Sequence, residues 1–179
     1  MLSSNHIYIR PLILSDAENL LQLLVENKEF FEPFSTNRSS NYYSLEKQKE
    51  IIITGEKKSK EDSSYHFGIF LNTTHELIGT ISLFHIIRGP LQSATMGYDL
   101  DQKNNGNGYT TEAAKMVVDY AFETVGLHRI EAGVMPHNVG SIRVLEKAGF
   151  HKEGIAKKSV KINGRWEDHQ ILAIINPND

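Results

Sequence analysis

Cysteine is absent from the 179 residues. Disulfides, thiolate nucleophiles and cysteine-ligated zinc are excluded together, and no metal site is expected. A chain without thiols suits a reducing compartment, so a cytoplasmic location is expected. Charge of one sign is also scarce: 19 basic and 22 acidic side chains leave a formal net charge of −3. No broad basic field is there to grip a phosphate backbone, so no nucleic-acid partner is expected. No apolar run approaches the ~18–20 residues that span a bilayer. The opening Met1-Leu2-Ser3-Ser4-Asn5-His6 has no basic segment leading into an apolar one, so neither a signal peptide nor a membrane partner is expected. Repeats and low-complexity tracts are missing as well.

What remains is a globular composition, 40% apolar and 23% charged, in a chain long enough for one core. A single domain over residues 1–179 is expected. The charged stretch from Thr54 to Ser64 reads as a helix end and a surface connection rather than a boundary. Ile7, Ile9 and Leu12 suggest a short strand ending near Pro11. Ser15-Asp16-Ala17-Glu18 has the form of a capping box, opening a helix with Leu20, Leu21 and Leu24 on one face. Ser44 caps a second predicted helix with Leu45, Ile51 and Ile52 inward.

Tyr65 to Leu71 and Leu77 to Phe84 read as a hairpin around a polar turn, followed by a strand from Ala94 to Leu100. Ala114, Val117, Ala121 and Val125 fall at helical spacing between Thr110 and Val125. His128 to Val134 alternates as a strand. Asn138 caps a short helix that ends at Ala148 before Gly149. Asn163-Gly164 predicts a type I′ turn between strands near 159–162 and 166–175. Together these describe one mixed α/β sheet with helices on its faces.

The chemistry concentrates in Lys103-Asn104-Asn105-Gly106-Asn107-Gly108-Tyr109-Thr110, between a strand and a helix. Two glycines two apart let the backbone curl and present successive N–H groups. The helix behind them adds unpaired amides and the positive end of its dipole. Such a turn can cradle a phosphate or pyrophosphate, or serve as a plain turn. It is not a P-loop, because Tyr109-Thr110 follows Gly108 where Lys-Ser/Thr is required. It is not a dinucleotide fingerprint, because Thr111 occupies the third glycine position.

The sequence here resembles the GNAT family of acetyl-CoA-dependent N-acetyltransferases, and within it the Rim-type enzymes that acetylate ribosomal-protein N-termini. The family's pyrophosphate motif, Gln/Arg-x-x-Gly-x-Gly/Ala, is matched by Lys103 to Gly108. Lys103 stands at the first position and keeps the charge without the planar fork. Ile9-Arg10-Pro11-Leu12 with Asp16-Ala17-Glu18, Gly97-Tyr98-Asp99-Leu100, Tyr109-Thr110-Thr111-Glu112-Ala113, Asn138-Val139-Gly140-Ser141, Lys147-Ala148-Gly149-Phe150 and Glu153-Gly154 follow in family order over nearly the whole chain. The resemblance implies a GNAT (acyl-CoA N-acyltransferase) fold: a mixed, mostly antiparallel bent sheet with helices on both faces, splayed beside its fourth strand. It implies acetyl-CoA as cosubstrate. Pantetheine would lie near Tyr98 and Leu100, the pyrophosphate on Gly106 to Thr110, and Lys103, Asn104, Asn105, Asn107, Asn138 and Ser141 would complete the cofactor site.

The resemblance also implies direct attack of an amine on the thioester. Ser141 matches the Rim-type serine near the leaving sulfur and is the expected catalytic residue; a polar residue in the first turn of a helix is the plainer role for it. Many relatives use a tyrosine four residues later, where this chain has Leu145, which donates no proton. Asn138 fits both helix cap and cofactor contact, and Glu112 fits compensation of the helix dipole.

No general base is evident. The two familiar carboxylate positions hold Val160 and the stretch Ala94-Thr95-Met96, leaving His85, at a strand end near the expected mouth, and Glu131, mid-strand, as candidates acting through water. An α-amine of pKa about 8 costs about 1.4 kcal/mol to deprotonate at pH 7, and a lysine amine about 4–5 kcal/mol. A missing base therefore leans towards a peptide or protein N-terminal α-amine, ribosomal-protein-like, as acceptor. A polyamine or amine antibiotic, or a non-catalytic acyl-CoA-binding module, are the alternatives. The acceptor region spans Glu29 to Ser64 and Arg88 to Ser93 and carries no diagnostic motif. Pro90 argues against an unbroken central strand there. Both monomer and homodimer are compatible with the sequence.

Overall fold

The computed structural model describes residues 1–179. Eight strands form one sheet: β1 (Leu2–Ser3), β2 (Ile7–Pro11), β3 (Tyr65–Leu71), β4 (Leu77–Ile87), β5 (Ser93–Leu100), β6 (Arg129–Val134), β7 (His151–Ile162) and β8 (Arg165–Ile175). Their order is β1-β2-β3-β4-β5-β6-β8-β7, and only β5 and β6 run parallel. Five helices accompany them: α1 (Ala17–Glu26), α2 (Lys28–Phe31), α3 (Leu45–Lys60), α4 (Tyr109–Glu123) and α5 (Val139–Lys147). This is the mixed, mostly antiparallel architecture expected.

Two apolar clusters place the helices on opposite faces. Ala113, Ala114, Val117, Val118 and Ala121 turn one stripe of α4 onto Ile69, Ile78, Ile81 and Leu83. The small alanines let the helix lie close to the strands. On the other face Leu20, Leu23 and Leu24 of α1 and Ile52 of α3 pack on Phe70 and Leu77. Each of the larger side chains so buried, valine, leucine, isoleucine or phenylalanine, stabilises the fold by about 1.5–3 kcal/mol.

The start of α1 differs from expectation. A 3-10 turn, Leu14–Asp16, precedes it, and Ser15 is exposed and caps nothing. Asp16 caps no α1 amide either; its carboxylate turns back to accept the Ile13 N–H at 2.8 Å, ahead of the 3-10 turn, and two Arg10 bonds at 2.7 and 2.9 Å. Leu23 takes the inward position expected for Leu21, which is half-buried. The structure adds β1, α2 and a 3-10 turn at Glu32–Phe34, each too short to show a period. Strand β7 starts at His151, well before residue 159; both its faces are largely exposed, so no alternation announces it. Ser44 caps α3, Asn138 caps α5, and Asn163 and Gly164 have φ of +48° and +81°, as their types suggest.

The sheet opens between its parallel strands. Strands β5 and β6 pair only at Ser93–Arg129, Ala94–Ile130 and Thr95–Glu131. Beyond these, β5 stays paired to β4 as far as Leu100, and β6 to β8 as far as Val134. The backbone edges of Met96–Leu100 and of 132–134 therefore face a gap. It lies beside the strand counted fourth in the sequence, which β1 makes the fifth.

Candidate active site

The gap ends at the glycine turn. Gly106 and Gly108 have φ of +83° and +80°, a region in which side chains are strained. A Cβ on either would meet nothing within 4 Å, so the backbone faces open space. The N–H groups of Gly106, Asn107 and Gly108 make no backbone hydrogen bond, and the α4 ladder opens with Glu112 N–H to Gly108 O. The amides of Tyr109, Thr110 and Thr111 thus stand free at the positive end of the helix. The turn is fixed from behind: Asp101 N–H bonds Ile78 O at 2.8 Å, and Asn27 Oδ1 accepts the Gln102 N–H at 2.9 Å. This is an anion cradle built from backbone.

A cleft of about 670 Å³ runs from this cradle into the gap. Tyr98 and Leu100 line it from β5, and Asn105, Gly106, Gly108, Tyr109 and Thr110 from the turn. Asn138 and Ser141 line it from α5. Lys103, Asn104 and Asn107 lie off its walls. Lys103 Nζ pairs with Glu76 at 3.2 Å and Asp101 at 3.4 Å, behind the loop. Asn107 Nδ2 donates to Asn104 O at 3.1 Å, tightening the turn. The buried Nδ2 of Asn104 has no partner. Glu112 bonds Ser4 and, at 2.6 Å, His6, tying the N-terminal segment to the first turn of α4.

Ser141 is held by two neighbours. Asn138 Oδ1 accepts its N–H at 3.3 Å. Its Oγ lies 2.7 Å from the Tyr98 hydroxyl, which also reaches Ser141 O at 3.1 Å. Burial pushes the Tyr98 phenol up to about 12, against the opposing hydrogen bond with Ser141. The phenol therefore keeps its proton at neutral pH. When that proton points to Oγ, the serine's own proton is free to turn into the cleft. The sequence expectation for Tyr98 is a place beside the pantetheine; the bond from its hydroxyl to Ser141 is an addition of the structure. Leu145, at the alternative tyrosine position, is fully buried in the core and lines the cleft.

A second cavity, about 620 Å³, is lined by residues 34–39, Tyr42, Lys47, Ile51 and Asp99. The two cavities have two walls in common, Phe34 and Asp99. Strand alternation turns Asp99 to the face opposite Tyr98 and Leu100. Burial raises its carboxyl pKa against the pull of Arg38, and no hydrogen bond steadies it. Arg38 is itself fixed, bonding Tyr43 at 2.9 Å and Ser35 at 3.2 Å and lying 4.5 Å over the Tyr42 ring.

The bases considered from the sequence lie elsewhere. His85 is exposed at a β4 irregularity with φ of +50° and lines neither cavity. Glu131 bonds Arg129 at 2.8 Å and lines neither. Sequence reasoning missed Asp99, which stands within the Gly97-Tyr98-Asp99-Leu100 match with no role of its own; the alternation of that strand already separates its two faces.

A sheet parted between parallel strands, with an anion cradle at one end and a hydroxyl pair along its wall, is the build of an acyltransferase for a phosphate-bearing thioester. Residues 6–151 match the acetyltransferase (GNAT) domain, and the chain belongs to that family of N-acetyltransferases. It is 59% identical over 179 residues to Probable N-acetyltransferase YjcK of Bacillus subtilis (strain 168), covering 100% of this chain and 99% of that protein. A solved ribosomal-protein-S5-alanine acetyltransferase from Vibrio fischeri superposes with TM-score 0.93 at 32% identity, covering 99% and 97% of the two chains. Mycobacterium smegmatis RimJ, solved with CoA-disulfide, superposes with TM-score 0.91 at 28% identity, covering 96% and 83%.

Proposed function

We propose that this chain transfers the acetyl group of acetyl-CoA to the α-amine of a protein or peptide N-terminus in the cytoplasm. Its own groups fit the cofactor. Free amides from Gly106 to Thr111 suit a pyrophosphate, and the unpaired edge Met96–Leu100 suits the amides of a pantetheine arm. Bound acetyl-CoA supplies an activated acetyl thioester. The Ser141 hydroxyl gives a proton towards the departing sulfur while Tyr98 replaces it from behind. Relatives named for ribosomal-protein alanine acetylation support a protein N-terminus as acceptor.

The observation that carries the choice of acceptor is the charge of the second cavity. Its walls hold one carboxylate, Asp99, against two cations, Arg38 and Lys47, the latter also pairing with Glu50 at 3.0 Å. A monoamine with a neutral or anionic remainder suits that set. A polyamine or aminoglycoside brings further ammonium groups towards Arg38 and Lys47. Thiol release from acetyl-CoA, followed with a panel of amines, tests this. A short peptide with a free N-terminus is expected to give a kcat/KM at least tenfold above spermidine. Faster turnover of spermidine overturns the acceptor, and absence of thiol release with every amine overturns the transferase reading itself.

A further inference from the structure

We propose that Asp99 is the catalytic residue that takes the proton from the acceptor ammonium. This rests on the transferase reading above. The amine and the thioester must meet where the acceptor cavity joins the cofactor cleft, and Asp99 and Phe34 are the residues that wall both. Phe34 holds no proton. Asp99 is the sole acidic side chain on either wall. Its neighbour Tyr98 points to the other face of β5, so the strand divides the work: hydroxyls towards the sulfur, carboxylate towards the nitrogen.

Asp99 is also free to act. Asp16, Asp62, Asp101 and Asp168 are each engaged by guanidinium, ammonium or backbone groups, whereas Asp99 has no hydrogen-bond partner. Burial lifts its pKa towards that of the amine, which reduces the uphill cost of the transfer. Arg38 and Tyr42 act on it electrostatically, Lys47 shares the acceptor cavity with it, and Tyr98, Tyr109, Arg143, Lys147 and His169 share the cofactor cleft. Arg38 opposes the rise.

The step balances as follows. The ammonium gives one proton to the Asp99 carboxylate, which passes it to water. The neutral nitrogen forms the C–N bond with the thioester carbonyl carbon. The C–S bond breaks with its electron pair on sulfur. Once the C–N bond has formed, the nitrogen gives its second proton to the emptied Asp99 carboxylate and so to solvent, from which the Tyr98–Ser141 pair regains the proton that Ser141 delivers to the thiolate, so amide, thiol and one solvent proton result.

Asp99→Asn keeps the shape and removes the basicity. With a peptide acceptor at pH 7, kcat is expected to fall by roughly 10²–10⁴-fold while CoA affinity by calorimetry stays put, which also shows that the variant is folded. The deficit is expected to shrink as pH rises and the amine loses its proton unaided, and Asp99→Glu is expected to recover part of the rate. Unchanged kcat and pH profile in Asp99→Asn overturn the proposal. So does a raised KM with unchanged kcat, which marks Asp99 as an anchor for the ammonium only. A wild-type protein inert with every amine overturns the transferase reading and this proposal with it; an active wild type with an unaffected variant overturns this proposal alone.

Discussion

At the scale of single residues, the hydroxyl pair Tyr98–Ser141 is the feature that gives the family resemblance chemical content. Ser141 alone, in the first turn of α5, is an ordinary polar residue. Ser141 at 2.7 Å from a buried phenol held up to about 12 has the geometry for the role proposed for it, a proton donor with a reserve behind it. Ser141→Ala is expected to lower kcat by roughly 10–10⁴-fold with little change in CoA affinity, water replacing part of the donor's effect. Tyr98→Phe removes the reserve but leaves the donor, and a loss of roughly 10–10²-fold is expected. Both are read from kcat under conditions in which chemistry limits turnover. An unaffected Tyr98→Phe beside a crippled Ser141→Ala means that the serine works alone. Ser141 was legible in the sequence by its place in a motif. Its partner was not, because a strand residue and a helix residue 43 positions apart meet only after the sheet has parted.

Among the elements, the turn that starts α1 shows where local rules give way to tertiary ones. The capping box at Ser15–Glu18 is plausible in isolation, yet Arg10 from β2 lies beside Asp16 and binds it through two bonds. Arg10 also lies 4.2 Å over the Phe70 ring, so the pair joins β2, β3 and α1. Burial alone raises the Asp16 carboxyl, but the bonds from Arg10 and the Ile13 N–H outweigh it and hold the pKa below its usual range. A lowered carboxyl pKa contributes stability above the unfolded value, about 3.9, and loses it as pH falls through the folded value. Asp16→Asn is expected to cost about 3 kcal/mol at pH 7, the low end for breaking a buried pair, because the Arg10 side chain remains 27% exposed. Thermal unfolding is expected to show the difference in full near neutrality, and to show it shrinking below about pH 4. An equal difference at all pH values means that the carboxylate's charge contributes nothing. Elements with a strong period, such as α4 and β2, were legible from their apolar spacing. Strand β7 and the short β1 and α2 were not, because an exposed edge strand and a single turn bury too little to leave a pattern.

For the molecule as a whole, function follows from the failure of β5 and β6 to stay paired. Three residue pairs hold them together, and then the sheet parts to leave two cavities, which the proposed function gives to the cofactor and, across β5, to the acceptor. The order of strands and helices was legible, and so was the cradle, because glycines before a helix state their purpose locally. The acceptor cavity was legible only as a stretch of chain: its walls at residues 34–51 lie inside the region Glu29 to Ser64 read for the acceptor, but the face of β5 that adds Asp99 is visible only once the strand is placed. The central claim, that this cavity presents a peptide α-amine to the thioester, has a direct quantitative consequence. An α-amine and a lysine amine differ by about 2.4 pKa units, and that difference persists whatever the strength of the base that takes the proton. The measurement is a competition at pH 7 between a peptide with a free N-terminus and blocked lysine and its counterpart with a blocked N-terminus and free lysine, the acetyl group being located by mass spectrometry. Acetylation at the N-terminus is expected to prevail by roughly two orders of magnitude. Predominant acetylation of the lysine side chain would contradict the account.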